Sequence, residues 1–175
     1  VTSCAELAAI SKTLGGDYVL TENIDCNGVV VGFPIGDEFD PFTGSLNGKG
    51  FSISNVKIDK PEEDNIGLFG VTKGASLSDI NLQDFEVNGK NQVGALVGSA
   101  DSTEISDISL DGTVLGKGNN VGGLVGTITN GSTIKSSTAE GEVSGQDNVG
   151  GIVGSLDNST VDDSGATNEV TGNDN

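Results

Sequence analysis

The chain contains no histidine, arginine, tryptophan or methionine, and it has a single tyrosine among its 175 residues. Its eight basic residues are all lysine, they are outnumbered by 26 acidic residues, and the formal net charge is −18. Nucleic acid binds to clustered basic surfaces, so this composition excludes nucleic acid as a partner. The scarcity of aromatic residues argues against an ordinary globular core and favours a thin core of Val, Ile and Leu.

The two cysteines, Cys4 and Cys26, both lie near the start of the sequence. A metal site would need further soft ligands, and no histidine is present to supply them. We therefore predict a Cys4–Cys26 disulfide, which requires an oxidising compartment and favours an extracellular location, secreted or at the cell surface. No apolar run is long enough to cross a bilayer, so no membrane insertion is expected.

A phrase of glycine and aliphatic residues recurs at a fixed spacing. It reads Val-Gly-Ala-Leu-Val-Gly at 93–98, Val-Gly-Gly-Leu-Val-Gly at 121–126 and Val-Gly-Gly-Ile-Val-Gly at 149–154, with a shorter form at 66–70. The closing glycines stand 28 residues apart, at Gly70, Gly98, Gly126 and Gly154. One apolar phrase per period of this length predicts a solenoid in which each repeat forms one coil.

Each period also contains a middle strand and a Val-x-Gly step, seen at Val87, Val114, Val143 and Val170. Short strands at these spacings predict an all-β fold, a right-handed parallel β-helix (β-solenoid) of about six coils, because parallel crossovers are almost always right-handed. Gln, Asn, Ser and Thr recur directly beside the phrase and predict hydrogen-bonded ladders between coils. These residues are Asn65, Gln92, Asn120, Asn148, Ser99, Thr127 and Ser155.

Residues 1–175 are predicted to form one β-solenoid domain in three parts. Residues 1–16 would form a helical cap, with a helix over 3–14 that begins at Ser3 and has Glu6 as its capping-box partner. Residues 17–65 would form two N-terminal coils, and residues 66–175 would form four repeats of about 28 residues.

These phrases resemble the GLUG-motif repeat proteins, a family named for the sequence that stands here at 121–126. The segments 18–25, 34–36 and 42–56 resemble the region that commonly precedes such repeats, and 66–70 resembles the usual first repeat. The resemblance covers most of residues 1–172. It implies an extracellular, non-catalytic β-solenoid module, found in adhesin-like proteins and in chains that carry peptidase domains elsewhere. It supplies no catalytic residues.

Three kinds of candidate site remain open from the residues. The predicted recognition loop combines acids with aromatic side chains and consists of Asp37, Glu38, Phe39, Asp40 and Phe42. No metal site is predicted. Calcium is the one possible cofactor, with Asp37, Asp40, Asp162 and Asp163 as weak candidates that lack EF-hand spacing. Asn130 and Asn158 begin sequences that fit the N-glycosylation pattern.

Catalysis by carboxylates would need acids at a fixed separation on one face. Asp79 and Asp107 are 28 residues apart, but stacked surface acids explain them equally well. We therefore predict no enzyme, but a structural or adhesive module of a cell-surface or secreted protein. The alternatives are a self-assembling subunit of an extracellular filament and a glycan-binding module. The expected partners are other extracellular proteins, glycans, or copies of the chain associated end to end.

Overall fold

The chain winds into a parallel β-solenoid of about five turns. A computed structural model describes residues 1–27 and 33–172. Successive coils stack so that each short strand pairs with the strand one coil earlier and one coil later. The strands are β1 (Asp17–Val19), β2 (Ile24–Asp25), β3 (Ser45–Asn47), β4 (Ser52–Ser54), β5 (Lys57–Asp59), β6 (Phe69–Lys73), β7 (Ser76–Gly89), β8 (Val97–Asp101), β9 (Glu104–Gly116), β10 (Val121–Gly122), β11 (Val125–Thr129), β12 (Thr133–Lys135), β13 (Thr138–Gly145), β14 (Val149–Gly150), β15 (Val153–Leu156), β16 (Thr160–Asp162), β17 (Gly165–Ala166) and β18 (Glu169–Gly172).

The longest path of paired strands runs β1-β3-β7-β9-β12-β16. Six stacked strands enclose five turns, so the prediction of about six coils was slightly too high. The predicted register is confirmed at the Val-x-Gly step, where Val114 pairs with Val87 on one side and Val143 on the other. Val143 in turn pairs with Val170.

The core is a narrow column of aliphatic side chains that point into the coils. Val87, Val114 and Val143 are all buried, as their stacked positions require. The few aromatic residues of the core lie toward its N-terminal end, where the rings of Phe42 and Phe69 have centroids 4.7 Å apart. The described residues contain no helix long and apolar enough to cross a membrane.

A short helical segment covers the first coil. It consists of an α-helix, Cys4–Ala8, followed by a 3-10 helix, Ala9–Lys12. The prediction of one helix over 3–14 was therefore too long. The buried residues are three positions apart: Cys4 and Leu7 lie in the α-helix and Ile10 lies in the 3-10 helix. Residues three apart are neighbours on the surface of either helix type.

The predicted N-cap and disulfide are both present. The backbone N–H of Glu6 donates to Ser3 Oγ at 3.2 Å. The Glu6 carboxylate accepts from the backbone N–H of Thr2 at 2.9 Å, one residue earlier than a capping box would place it. Cys4 is bonded to Cys26 just after β2, which fastens the helical segment to the first coil.

Candidate interaction surfaces

The closing glycines of the repeated phrase lie where two coils approach most closely. A Cβ atom added to Gly126 would lie 2.5 Å from the carbonyl carbon of Gln92 and 2.5 Å from the nitrogen of Val93, in the coil before. Contacts below about 3.0 Å are not tolerated by real Cβ atoms. The same conflict with backbone, at 2.4 Å, exists at Gly70, Gly98 and Gly154.

The amide residues before the phrase form a corner of each coil. Asn65, Gln92, Asn120 and Asn148 have φ angles of 58°, 49°, 61° and 55°, in the left-handed region that Asn tolerates better than most residues. The predicted amide ladder has one direct rung in the described chain, where Asn148 Nδ2 donates to Asn120 Oδ1 at 2.9 Å. The main reason for these residues is therefore backbone conformation, which their spacing alone did not reveal.

The predicted hydroxyl ladder beside the phrase is wrong at its centre. Ser99, Thr127 and Ser155 do pair in register. However, Thr127 Oγ1 is shielded from solvent and has no hydrogen-bond partner among the described residues. A close hydroxyl pair lies elsewhere, where the buried Thr72 and Thr103 bring their Oγ1 atoms to 2.9 Å.

A second kind of polar contact recurs between coils, and sequence analysis missed it. In five places an Asn side chain donates to a carboxylate that lies 27 to 30 residues earlier, at 2.8 to 3.1 Å. The amide always belongs to the later coil. The pairs are Asn55–Asp25, Asn65–Glu38, Asn88–Asp59, Asn91–Asp64 and Asn130–Asp101. An acid followed one period later by Asn is the sequence signal that could have identified them.

The predicted recognition loop contains a tightly closed turn at 37–40. Asp37 Oδ1 accepts from the backbone N–H groups of Phe39 at 2.8 Å and Asp40 at 2.9 Å, and Asp37 N–H donates to the Asp40 carbonyl at 3.0 Å. The N–H groups of Asp40 and Phe39 hold the pKa of Asp37 below its usual value. The turn presents Phe39 with 91% of its surface exposed.

Phe42 does not belong to this surface, contrary to the prediction. Its side chain is completely buried and packs against Phe69. Its backbone N–H donates to Val71 O at 2.9 Å, so the loop returns to the core at this residue. The recognition turn therefore comprises Asp37, Glu38, Phe39 and Asp40.

The calcium candidates are not gathered into a site in the part of the chain that the structure describes. No group of three or more His, Cys, Asp or Glu residues that could hold a metal occurs there. Asp37 is occupied by its own turn, Asp162 is exposed at the end of β16 opposite Lys135, and Asp163 follows at a left-handed corner with φ 46°.

Asp79 and Asp107, the acids considered for catalysis, are exposed and occupy equivalent corners with φ angles of 55° and 56°. They therefore occupy bends of the backbone, as other left-handed residues of the chain do.

Asn130 and Asn158, the candidate glycosylation residues, are also exposed and left-handed. The Asn130 amide already donates to Asp101, and the hydroxyl of Ser132 in the same tripeptide is buried.

Stacked parallel coils with a disulfide-anchored helical cap define this molecule as a β-solenoid repeat protein. Residues 4–112 match the family model described as the M26 IgA1-specific metallo-endopeptidase N-terminal region, and the chain belongs to that family. Residues 117–144 and 145–171 match the GLUG motif, which confirms the resemblance for the last two repeats. The earlier phrases at 66–70 and 93–98 fall within the M26 match.

Two similar proteins place this family match in context. Halomucin of Haloquadratum walsbyi is 38% identical over 118 residues, which cover 59% of this chain and 1% of that protein. A crystal structure of a "putative immunoglobulin A1 protease" from Bacteroides ovatus aligns with a TM-score of 0.64 and 18% identity, over 96% of this chain and 66% of that chain. At this identity the structural match shows the fold alone. The chain therefore corresponds to only a part of each relative.

Proposed function

We propose that this chain is an extracellular, non-catalytic β-solenoid module that acts as a rigid structural or adhesive segment of a secreted or cell-surface protein. The observation that carries the proposal is the continuous stacking of coils, in which several carboxylates are bound by an asparagine of the next coil. The disulfide supports an oxidising compartment. The family match to a region of an enzyme named for an antibody substrate supports the same setting.

The residues also favour a non-catalytic role, despite the family name. Metallo-endopeptidases commonly bind zinc through paired histidines of an H-E-x-x-H helix, and this chain contains no histidine. Its only helices in the described residues are the short ones at Cys4–Ala8 and Ala9–Lys12. The acids at Asp79 and Asp107 are accounted for by their corners.

The proposal is tested by incubating the purified chain with immunoglobulin A1, with and without added zinc, and following the heavy chain by gel and mass spectrometry. We expect the heavy chain to stay intact. Cleavage that is lost in Asp107→Asn but retained in Asp163→Asn would show that the module is an enzyme. Antibody labelling of intact cells against permeabilised cells of the source organism tests the location, and labelling only after permeabilisation would contradict it.

Glycan recognition is the second candidate, because the turn at 37–40 holds Phe39 in water. An exposed aromatic ring beside the Glu38 and Asp40 carboxylates can stack on a sugar while the carboxylates accept from its hydroxyl groups. A glycan array in calcium-containing buffer should then show binding that Phe39→Ala removes. The substitution leaves the core untouched, so its thermal unfolding serves as the control. An array without hits would contradict glycan binding, and the structural role would remain as the only proposal.

A further inference from the structure

A cavity of about 670 Å³ lies between the helical cap and the recognition turn. We call it the cap cavity. Three separate segments line it, namely the end of the cap, the recognition turn and the loop after β5. The charged side chains in its wall are Lys12 from the cap, Asp37 and Asp40 from the turn, and Lys60 and Glu63 from the loop. Its volume lies in the range of about 300–1,000 Å³ that small-ligand sites occupy.

Hydrogen bonds hold the walls of the cap cavity in place. Thr43 N–H donates to Leu14 O at 2.8 Å, which ties the end of the cap to the chain just after the recognition turn. Asn65 Nδ2 donates to Glu38 Oε1 at 2.9 Å, which ties the loop after β5 to the same turn. The cavity is therefore formed by the chain alone, and a preformed site reduces the ordering cost of binding.

Two charged side chains of the cap cavity are left for a ligand. Lys60 Nζ is bound to Glu63 at 2.8 Å, and the Asp37 carboxylate is bound by the N–H groups of its own turn. Within residues 1–27 and 33–172, by contrast, Lys12 Nζ and the Asp40 carboxylate form neither an ion pair nor a hydrogen bond. The Lys12 ammonium can bind an anionic group, and the Asp40 carboxylate can accept from hydroxyl groups.

The charge of the whole chain limits how much negative charge such a ligand can carry. The net charge of −18 repels anions over most of the surface. Two of the eight lysines line the cap cavity, so a single anionic group can be compensated there. A polyanion would extend past these lysines onto the acidic surface. A ligand with one carboxylate therefore fits the cavity better than a polyanion.

A second cavity, of about 350 Å³, adjoins the cap cavity at the recognition turn. The two cavities share Pro34, Gly36, Asp37 and Glu63 in their walls. The second cavity also includes Phe39, whose side chain stands in solvent. An exposed aromatic ring can pack against the apolar face of a sugar ring. The two cavities together therefore suit a ligand of two or three linked sugars.

We propose that the cap cavity and its neighbour bind a short oligosaccharide that carries one carboxylate, with the carboxylate on Lys12, sugar hydroxyl groups on Asp40 and a sugar ring on Phe39. The proposal rests on the glycan recognition considered above and names its class of ligand. The two are separable, because Phe39 stacks on any sugar whereas Lys12 distinguishes an acidic sugar from a neutral one.

The test compares two forms of one trisaccharide by NMR titration at low salt. Sialyllactose carries one carboxylate, and its methyl ester keeps every sugar ring but removes the charge. The parent chain should bind sialyllactose about threefold more tightly than the ester, because a partly exposed ion pair is worth a factor of about two to five. This preference should disappear in about 1 M NaCl, where the Debye length is about 3 Å. The amides of Lys12 and Asp40 should shift on binding.

Matched variants assign each contact. Lys12→Gln should bind the two forms equally, whereas Lys135→Gln, which changes the net charge by the same amount on β12, should keep the preference. Phe39→Ala should weaken both forms about threefold or more and leave their ratio unchanged. Asp40→Ala should weaken the ester about threefold or more, because its hydroxyl groups lose an acceptor. All four side chains are exposed, so the thermal midpoint should stay within about 1 °C of the parent.

Three results would overturn the proposal: no binding of sialyllactose, equal binding of both forms by the parent chain, or a preference that survives in Lys12→Gln. If the glycan array shows only neutral sugars whose binding Phe39→Ala removes, glycan recognition stands and this class of ligand is wrong. None of these results bears on the immunoglobulin A1 assay. Failure of sugar binding is therefore distinguishable from failure of the structural role.

Discussion

Replacing Gly126 with alanine is the sharpest test of how the repeated phrase works. The new Cβ would lie 2.5 Å from Gln92 C, 2.5 Å from Val93 N and 2.6 Å from Gly98 O, and all three atoms belong to backbone that cannot rotate away. Relief requires the coils to separate at this point. Overpacking in a well-packed interior costs about 1–3 kcal/mol, and three backbone contacts place this case near the upper end. We expect a loss of about 3 kcal/mol, which lowers the thermal midpoint of a domain of this size by about 6–12 °C.

Gly131 supplies the matched control in the same coil. A Cβ added there meets nothing within 4 Å, but the residue has φ +81°. Gly131→Ala should therefore cost only the left-handed backbone penalty, about 1–2 kcal/mol. Chemical denaturation followed by far-UV circular dichroism gives the free energy of unfolding of both variants. Hydrogen exchange of the most protected amides should give the same free energies, as a two-state transition requires. The reasoning fails if Gly126→Ala stays within about 0.5 kcal/mol of the parent, or if Gly131→Ala is the more damaging change.

Three further predictions concern the cap, the core and the recognition turn. Reduction of the Cys4–Cys26 disulfide should lower stability by about 3 kcal/mol, measured as the denaturation midpoint with and without reductant, and an unchanged midpoint would mean that the cap holds without it. Thr103→Val should cost about 1–3 kcal/mol because it leaves the buried Thr72 hydroxyl without its partner, and Thr72→Val/Thr103→Val should cost less than the sum of the single changes. Asp37 should titrate by NMR below the unfolded value of about 3.9, because N–H groups bind its charged form. Its contribution to the turn is then present above that unfolded value and lost as the pH falls through the folded pKa, whereas a normal pKa would show that the turn is open in solution.

The sequence was a good guide to which residues stack on one another between coils, although not to the hydrogen bonds that their side chains make. The Val-x-Gly steps pair as their spacing predicted, and the residues that flank the closing glycines pair at the same period. One fixed period determines which residues become neighbours. The disulfide followed from having two cysteines and no histidine. Both the stacking and the disulfide could be inferred from the positions and types of residues in the sequence, without knowledge of how each coil bends.

Predictions failed where a contact depended on how the backbone bends within a single coil, which the spacing between coils does not determine. Phe39 and Phe42 stand three residues apart in an acidic loop, yet one is 91% exposed and the other is completely buried. The difference arises because Asp37 closes the turn at Asp40 and the chain then re-enters the core to pair with β6. The helix was overestimated for a related reason, since spacing by three fits either helix type over so short a segment.

The corners show why asparagine and aspartate are so frequent in this chain. Ten of the 14 described non-glycine residues with positive φ are Asn or Asp, which accept the left-handed conformation at low cost. Asn55, Asn65 and Asn130 both turn the corner and donate to a carboxylate of the coil before. Glycine could make the same bends but could not form these bonds, and lysine could neutralise the acids but would strain the bend. The Asn–acid pairs therefore add side-chain contacts on the outside of the coils in the register that the backbone pairing sets, while the closing glycines allow neighbouring coils to approach closely.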